Sequence, residues 1–160
     1  MIIKKVDNTE DANECNKLVT KLVNSESKYD NNLRSDYIVK NYFENLYNNE
    51  NSSLFVAKSD DNMVVGYAFC KITTNDEGPF INHVALIDGL YVDEEYRHQG
   101  IATKLIEECK KWALQIGAGI IELNVTCANT NAINLYQKIG FKDFERKMRL
   151  ALNSNTANEK

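Results

Sequence analysis

The chain predicts an α/β domain of the α+β type, a mixed and mostly antiparallel central sheet with helices on both faces, and three observations predict it. Two apolar runs, Ser53 to Lys58 and Met63 to Ile72, are separated only by Ser59-Asp60-Asp61-Asn62, a turn composition that makes them an antiparallel hairpin. Ile101, Leu105, Cys109, Trp112, Ala113 and Ile116 recur at helical spacing, and Gly117 follows as a stop. Helical and strand-like stretches interleave with no repeat and no linker composition. One domain over residues 1–152 is expected, with a flexible C-terminal tail over residues 153–160.

In chain order, Ile2 to Val6 reads as a first strand, and Asn8 or Thr9 can cap a helix with Cys15, Leu18, Val19 and Leu22 on one face, ending near Asn24. Ser25 to Arg34 is polar and unperiodic. Ser35 or Asp36 then predicts a second helix with the stripe Ile38, Val39, Tyr42, Phe43 and Leu46. After the hairpin, Phe80 to Val92 reads as a long strand bent near Asp88-Gly89, because glycine inside a strand pattern often marks a bulge. Beyond the helix that starts at Ile101, Ile120 to Thr126 is a strand and Thr130 to Ile139 a short helix closed by Gly140. Phe141 to Leu150 returns as one or two strands.

Hydrophobic residues make up 43% and charged residues 26% of the chain, proportions that exclude the disordered and membrane classes. Met1 to Val6 is too short an apolar run for a signal peptide, and no stretch approaches a membrane span, so a soluble, cytoplasmic protein with no membrane partner is expected. Cys15, Cys70, Cys109 and Cys127 are widely spaced, and His83 and His98 stand in unrelated contexts, which predicts neither a metal site nor a disulfide framework. The net charge of -4 disfavours a nucleic-acid partner and is compatible with cationic substrates.

The segment Arg97-His98-Gln99-Gly100-Ile101-Ala102 carries the strongest chemistry. A polyphosphate needs several backbone N–H donors at close range, and the first turn of a helix supplies unpaired donors and the positive end of its dipole. Gly100 and Ala102 leave room for phosphate oxygens, while Arg97 and Lys104 add positive charge. By themselves, Gly100 and Ala102 fit equally well a plain helix start after a tight turn. A Rossmann loop would need a fuller glycine pattern, and a Walker loop would need Gly-Lys-Ser/Thr.

Leu90-Tyr91-Val92, four residues, and then Arg97-x-x-Gly100-x-Ala102 resemble the Gln/Arg-x-x-Gly-x-Gly/Ala signature of the GNAT acetyltransferases. Downstream, Asn129-x-x-Ala132-x-x-Leu135-Tyr136-x-Lys138-x-Gly140-Phe141 resembles the second signature of that family. The resemblance is close from about Gly89 to Phe141, and the first half of the chain matches in outline only.

The resemblance implies a GNAT fold whose fourth and fifth strands splay apart, with acetyl-CoA as cosubstrate and no metal. Leu90, Tyr91 and Val92 would pair with the pantetheine arm. The backbone of Arg97, His98, Gln99, Gly100, Ile101, Ala102 and Thr103 would hold the pyrophosphate, and Asn129 and Ala132 would complete the cofactor site. It further implies direct attack by an amine in a ternary complex. Asp88 is the first candidate for the base and His83 the second. Tyr136 occupies the place of the family's general-acid tyrosine. Cys127 and Trp112 are assigned to packing, and His98 to the solvated surroundings of the phosphates.

The acceptor implied is a primary amine on a small molecule, of polyamine-like, aminoglycoside or amino-acid type. Acetylation of protein N-termini or lysines is the alternative, and a non-catalytic acyl-CoA sensor a second one. An exposed strand edge would be compatible with a homodimer.

Overall fold

Alternation along one strand sets the architecture. In β2 (Ser52–Lys58) the side chains of Phe55 and Ala57 enter one apolar cluster while Leu54 and Val56 enter another, as the two-residue period of a strand requires. The computed structural model describes residues 1–152 and places five strands in the order β1 (Ile2–Lys5), β2, β3 (Val64–Ile72), β4 (His83–Val92) and β5 (Ala118–Leu123). Neighbours pair antiparallel except β4 and β5, which are parallel. The mixed sheet, its hairpin across residues 59–62 and the helices on its two faces agree with the sequence.

The helix α1 (Thr9–Glu26) covers one face. Asn8 caps it by accepting from the backbone N–H of Asp11 at 2.8 Å, so an otherwise orphaned donor is satisfied. Buried Asp11 binds Lys58 at 2.7 Å and Lys4 at 3.1 Å, tying the first turn to β2 and β1. Ala12, Cys15 and Leu18 pack beneath on Val6, Leu54, Val56, Tyr67, Phe69 and Tyr91. On the opposite face lies α2 (Ile101–Gln115), whose Leu105, Ile106, Cys109 and Trp112 fill the cluster with Phe55, Val65, Ala85 and Val92. A third helix, α3 (Thr130–Ile139), is capped by Asn129 and closed by Gly140 at φ 114°, a left-handed conformation that favours glycine.

The bend expected near Asp88-Gly89 is a bulge. Phe69 pairs with Gly89 and Cys70 with Ile87, which leaves Asp88 as the extra residue. A Cβ at residue 89 would stand 2.7 Å from the Tyr67 hydroxyl, so the glycine lets that ring pass under the strand. The β4–β5 ladder ends at Ile87 and Leu123, whereas β4 runs on to Val92. The two strands therefore part where the splay was expected.

Two expected elements take another form. No helix forms over Ser35–Leu46: this stretch is a series of turns and bends. The N–H groups that a helix would bond internally go instead to α1, where the Asn16 Oδ1 accepts from Tyr42 and Phe43 at 3.1 and 3.3 Å and the Thr20 hydroxyl from Val39 at 3.0 Å. Asn41, at φ 55°, breaks the helical path. The apolar residues still serve, because Phe43 is fully buried, edge-on to Phe69 and Tyr67 at centroid distances of 5.1 and 5.7 Å. Likewise, Phe141 to Leu150 joins no sheet. The start of β4 is also shorter than the apolar run, since Phe80 and Ile81 stand exposed before it. The expected tail over residues 153–160 lies outside the described residues.

Asn16→Ala is expected to cost about 1–3 kcal/mol, because it strands two backbone donors, one of them buried. Urea unfolding measures it, and a loss under about 0.5 kcal/mol would mean that the segment finds other acceptors.

Candidate active site

Where β4 outruns β5, its edge from Asp88 to Val92 has no ladder partner, and the gap between the parting strands is the candidate cleft. The side chains of Tyr91 and Val92 are buried in opposite clusters and Leu90 packs at the rim of one, so these residues offer the cleft mainly their backbone. The chain then makes a single 3-10 turn, Glu94–Tyr96, and enters the loop before α2. Its anchors are internal. Arg97 Nε donates to the Val92 carbonyl at 2.9 Å, and its guanidinium lies over the Tyr91 ring, 5.4 Å from the centroid. Lys21 reaches from α1 to Asp93 at 2.6 Å.

Within that loop His98 and Gly100 both have positive φ, 61° and 75°, flanking Gln99. Turns that combine right- and left-handed residues converge backbone N–H groups into an anion-binding concavity. The first helical bond runs from Lys104 N–H to the Gly100 carbonyl at 3.1 Å, which leaves the N–H groups of Ile101, Ala102 and Thr103 without helical acceptors at the positive end of α2. A Cβ at residue 100 would meet nothing within 4 Å. Gly100 is there for its backbone angle, and the space beside it stays open. His98 and Gln99 are exposed.

Beyond β5, Asn129 Oδ1 accepts from Ala132 N–H at 3.3 Å as the cap of α3, leaving its amide nitrogen free to donate. One helical turn further, Tyr136 packs edge-on to Phe141 at a centroid distance of 6.0 Å. Tyr136, Leu90 and Ala102 border the same apolar cluster, so the fold brings the β4 edge, the α2 loop and α3 together. Burial raises the Tyr136 phenol above its ordinary pKa, and the charge of Glu26 adds to the effect.

Asp88 projects from the bulge and is not free. Its Oδ2 accepts from Lys71 Nζ at 2.9 Å and from the Tyr42 hydroxyl at 3.4 Å, and this partnership raises the Lys71 pKa.

The sequence reading missed Glu26, in the last turn of α1. Its carboxyl is lifted above the ordinary value, first by burial and then by Asp30, and its field reaches both Tyr136 and Tyr67. A signal existed, because Glu26 lies four residues after Leu22 and eight after Leu18, on the apolar stripe of its own helix. Ending that helix at Asn24 hid it. Asp30, just beyond, forms a two-pronged pair with Arg149 at 2.7 and 3.0 Å.

The remaining candidates have other surroundings. His83, at the start of β4, bonds Asp76 at 2.9 Å and Thr74 at 3.3 Å and lines a shallow hollow with Ile72 and Ile116. Cys127 is exposed, and Trp112 is core. No group of three or more His, Cys, Asp or Glu side chains is placed to hold a metal among the described residues, and none of the helices among them is long and apolar enough to cross a membrane.

Residues 19–141 match the model of the acetyltransferase (GNAT) family. Over 63 residues, 39% of this chain and 43% of its relative, the sequence is 35% identical to an aminoglycoside N(6')-acetyltransferase type 1 of Serratia marcescens. It is 32% identical over 103 residues to N-alpha-acetyltransferase 30 of Schizosaccharomyces pombe, covering 64% of this chain and 66% of that protein. The chain thus spans about half the length of the curated relatives it matches. Among solved structures, an aminoglycoside N-acetyltransferase in complex with CoA superposes with a TM-score of 0.71 at 19% identity, covering 95% of this chain and 99% of the other.

Proposed function

Because the chain belongs to the acetyltransferase (GNAT) family, we propose that it transfers the acetyl group of acetyl-CoA to a small primary amine, by direct attack in a ternary complex. The observation that carries this reading is the open β4 edge, which leads straight into a helix N-terminus whose first donors are unpaired. The residues fit the cosubstrate. An extended amide-bearing arm can bond the backbone of Leu90 to Val92 as an added strand would. The N–H groups from His98 to Thr103 can take the pyrophosphate, and the Asn129 amide and the first turn of α3 at Ala132 close the other side.

In this arrangement the acceptor's ammonium, with a pKa of about 10.4 when free, must lose a proton before its nitrogen can attack. Glu26 takes it. A carboxyl whose basicity is raised by burial is a better acceptor at neutral pH than one already paired with a lysine, so Asp88 positions the amine instead. The new N–C bond forms as the C–S bond breaks, and the departing thiolate takes its proton from the Tyr136 phenol. Holding both reactants in one cleft supplies much of the acceleration.

Glu26→Gln is expected to lower kcat about 100-fold and to remove the acidic limb of the pH profile, since activity otherwise rises as the carboxyl ionises above 4.5. Asp88→Asn should chiefly raise KM. If Asp88→Asn abolishes that limb while Glu26→Gln leaves it unchanged, Asp88 is the base.

A small cationic acceptor is supported by the carboxylates of Glu26, Asp30 and Asp88 around the cleft and by the relative from Serratia marcescens. The relative from Schizosaccharomyces pombe favours peptide N-termini as a second reading. Acceptor-dependent thiol release across a panel of polyamines, aminoglycosides, amino acids and N-terminal peptides decides between them. Tight acetyl-CoA binding with no release from any acceptor would show a sensor rather than an enzyme.

A further inference from the structure

Lys71 carries a primary amine to the bulge of β4. It is the last residue but one of β3 and pairs with Leu86, just past the point where Asp88 falls out of register. Alternation sets its direction. Phe69 enters the cluster beneath α1 and Cys70 the cluster beneath α2, so Lys71 leaves on the α1 side. Ile87 enters the cluster beneath α2, so Asp88 leaves on the α1 side as well. The two side chains meet there, Nζ to Oδ2 at 2.9 Å, each still partly open to solvent at 40% and 30% exposure. The Tyr42 hydroxyl reaches the same Asp88 oxygen at 3.4 Å.

In the reaction proposed above, Asp88 holds the ammonium of the acceptor. With no acceptor bound, an ammonium of the chain itself stands in that place. The other lysine pairs among the described residues form elsewhere. Lys4 and Lys58 meet Asp11, Lys21 meets Asp93, and Lys17, Lys110 and Lys111 meet glutamates of their own helices. We propose that Lys71 is a self-acetylation site, whose Nζ takes the acetyl group from acetyl-CoA bound to the same chain when no acceptor is present. This rests on the acetyltransferase reading.

The step needs no reactant beyond the cosubstrate. The Lys71 ammonium gives one proton to the Asp88 carboxylate that it touches, which passes it to water. The Nζ lone pair then attacks the thioester carbonyl carbon, so that an N–C bond forms and the C–S bond breaks. The thiolate takes the Tyr136 proton, and the phenolate recovers one from the new amide nitrogen by way of water. The products are an acetylated lysine, a free thiol and one proton, with nothing oxidised or reduced.

A partly exposed ion pair is weak, and the alkyl stem of a lysine is flexible, so the amine can leave Asp88 for the neighbouring gap between the strands. Two groups face it, Asp88 from β4 and Tyr42 from the segment before β2. The carboxylate keeps Lys71 charged and raises its pKa, and a carboxylate already paired is a poor base. Self-acetylation is therefore slower than turnover of a good acceptor, by at least the roughly 100-fold that a well-placed base supplies. It happens once per chain, and it leaves Asp88 without its ion pair because an acetamide carries no charge.

Incubation of the full chain with acetyl-CoA alone should add the mass of one acetyl group, and peptide mapping should place it on Lys71. Exposed Lys28, Lys40 and Lys104 report the chemical background in the same digest. Tyr136→Phe should slow acetylation of Lys71 by about 100-fold or more without changing that background, and an excess of a good acceptor amine should suppress it. Lys71→Arg should gain no acetyl group above background while binding acetyl-CoA as the parent does in isothermal titration. Acetylation spread evenly over the exposed lysines, or absent from Lys71, overturns the proposal. A rate constant that rises with protein concentration places the transfer between chains and overturns it too. Thiol release with an amine of the panel, but no mark on Lys71, sinks self-acetylation and leaves the acetyltransferase reading standing. Absence of acetyl-CoA binding in the titration is the separate sign that the reading itself has failed.

Discussion

Gly100→Asp is expected to abolish acetyl-CoA binding while the protein stays folded. Residue 100 sits at φ 75°, where a side chain costs about 1–2 kcal/mol by backbone strain alone. Nothing lies within 4 Å of its would-be Cβ, so an aspartate packs against no protein atom and instead fills the space beside the α2 N-terminus with negative charge. Competition with a diphosphate for the same N–H groups should weaken binding by a factor of at least about 1,000, two close anions repelling by several kcal/mol where solvent is partly excluded. Gly100→Ala separates the two effects. It keeps the strain without the charge and should weaken binding by about 10-fold, the equivalent of 1.4 kcal/mol. Isothermal titration with acetyl-CoA measures both. Equal affinity of Gly100→Asp and the parent protein would remove the loop from the cofactor site.

Tyr136→Phe is expected to lower kcat by about 100- to 10,000-fold, the range supplied by a positioned proton donor, with acetyl-CoA affinity and stability nearly unchanged. The ring and its edge contact with Phe141 survive the substitution, so packing is conserved and only the donor is lost. The pH dependence follows from the direction of the shift. With its pKa raised above 10.0, the phenol remains protonated and able to donate throughout the neutral range, and loses that ability only above its raised value. Activity limited by this group therefore persists through the neutral range and falls only above that raised value. Removing the Glu26 charge takes away part of what raises the phenol, so the alkaline limb should move to lower pH in Glu26→Gln. An alkaline limb that stays put in that variant would separate the two groups. Full turnover in Tyr136→Phe would end its role as the acid.

The elements that were legible in the sequence are those fixed by short-range chemistry. Asn8, Gly100 and Gly140 announce their caps and turns because side-chain capping and left-handed backbone are properties of single residues. The bulge at Asp88-Gly89 was legible for the same reason. The helix expected over Ser35–Leu46 failed because Asn16 and Thr20, some twenty residues away, offer acceptors to its N–H groups, a competition that no local window contains. Glu26 was hidden for a related reason, since its raised basicity comes from burial in the folded chain and then from the neighbouring charge of Asp30. Phe141 to Leu150 was expected to return as one or two strands and forms none, because a pattern of side chains names no partner. In this chain the ladder it needs is absent from its own sheet.

The segment between α1 and β2 has one further consequence. Its backbone is attached to α1 largely through Asn16 and Thr20 and is pinned to the sheet by the Phe43 ring, while the ladders, the Gly100 loop and α3 take no hydrogen bond from residues 31–41. Residues 31–41 are thus tied to α1 and stand apart from the hydrogen bonding of the ladders, the Gly100 loop and α3. Lengthening, shortening or rewriting residues 31–41 while keeping those anchors should therefore leave the sheet, the Gly100 loop and α3 in place.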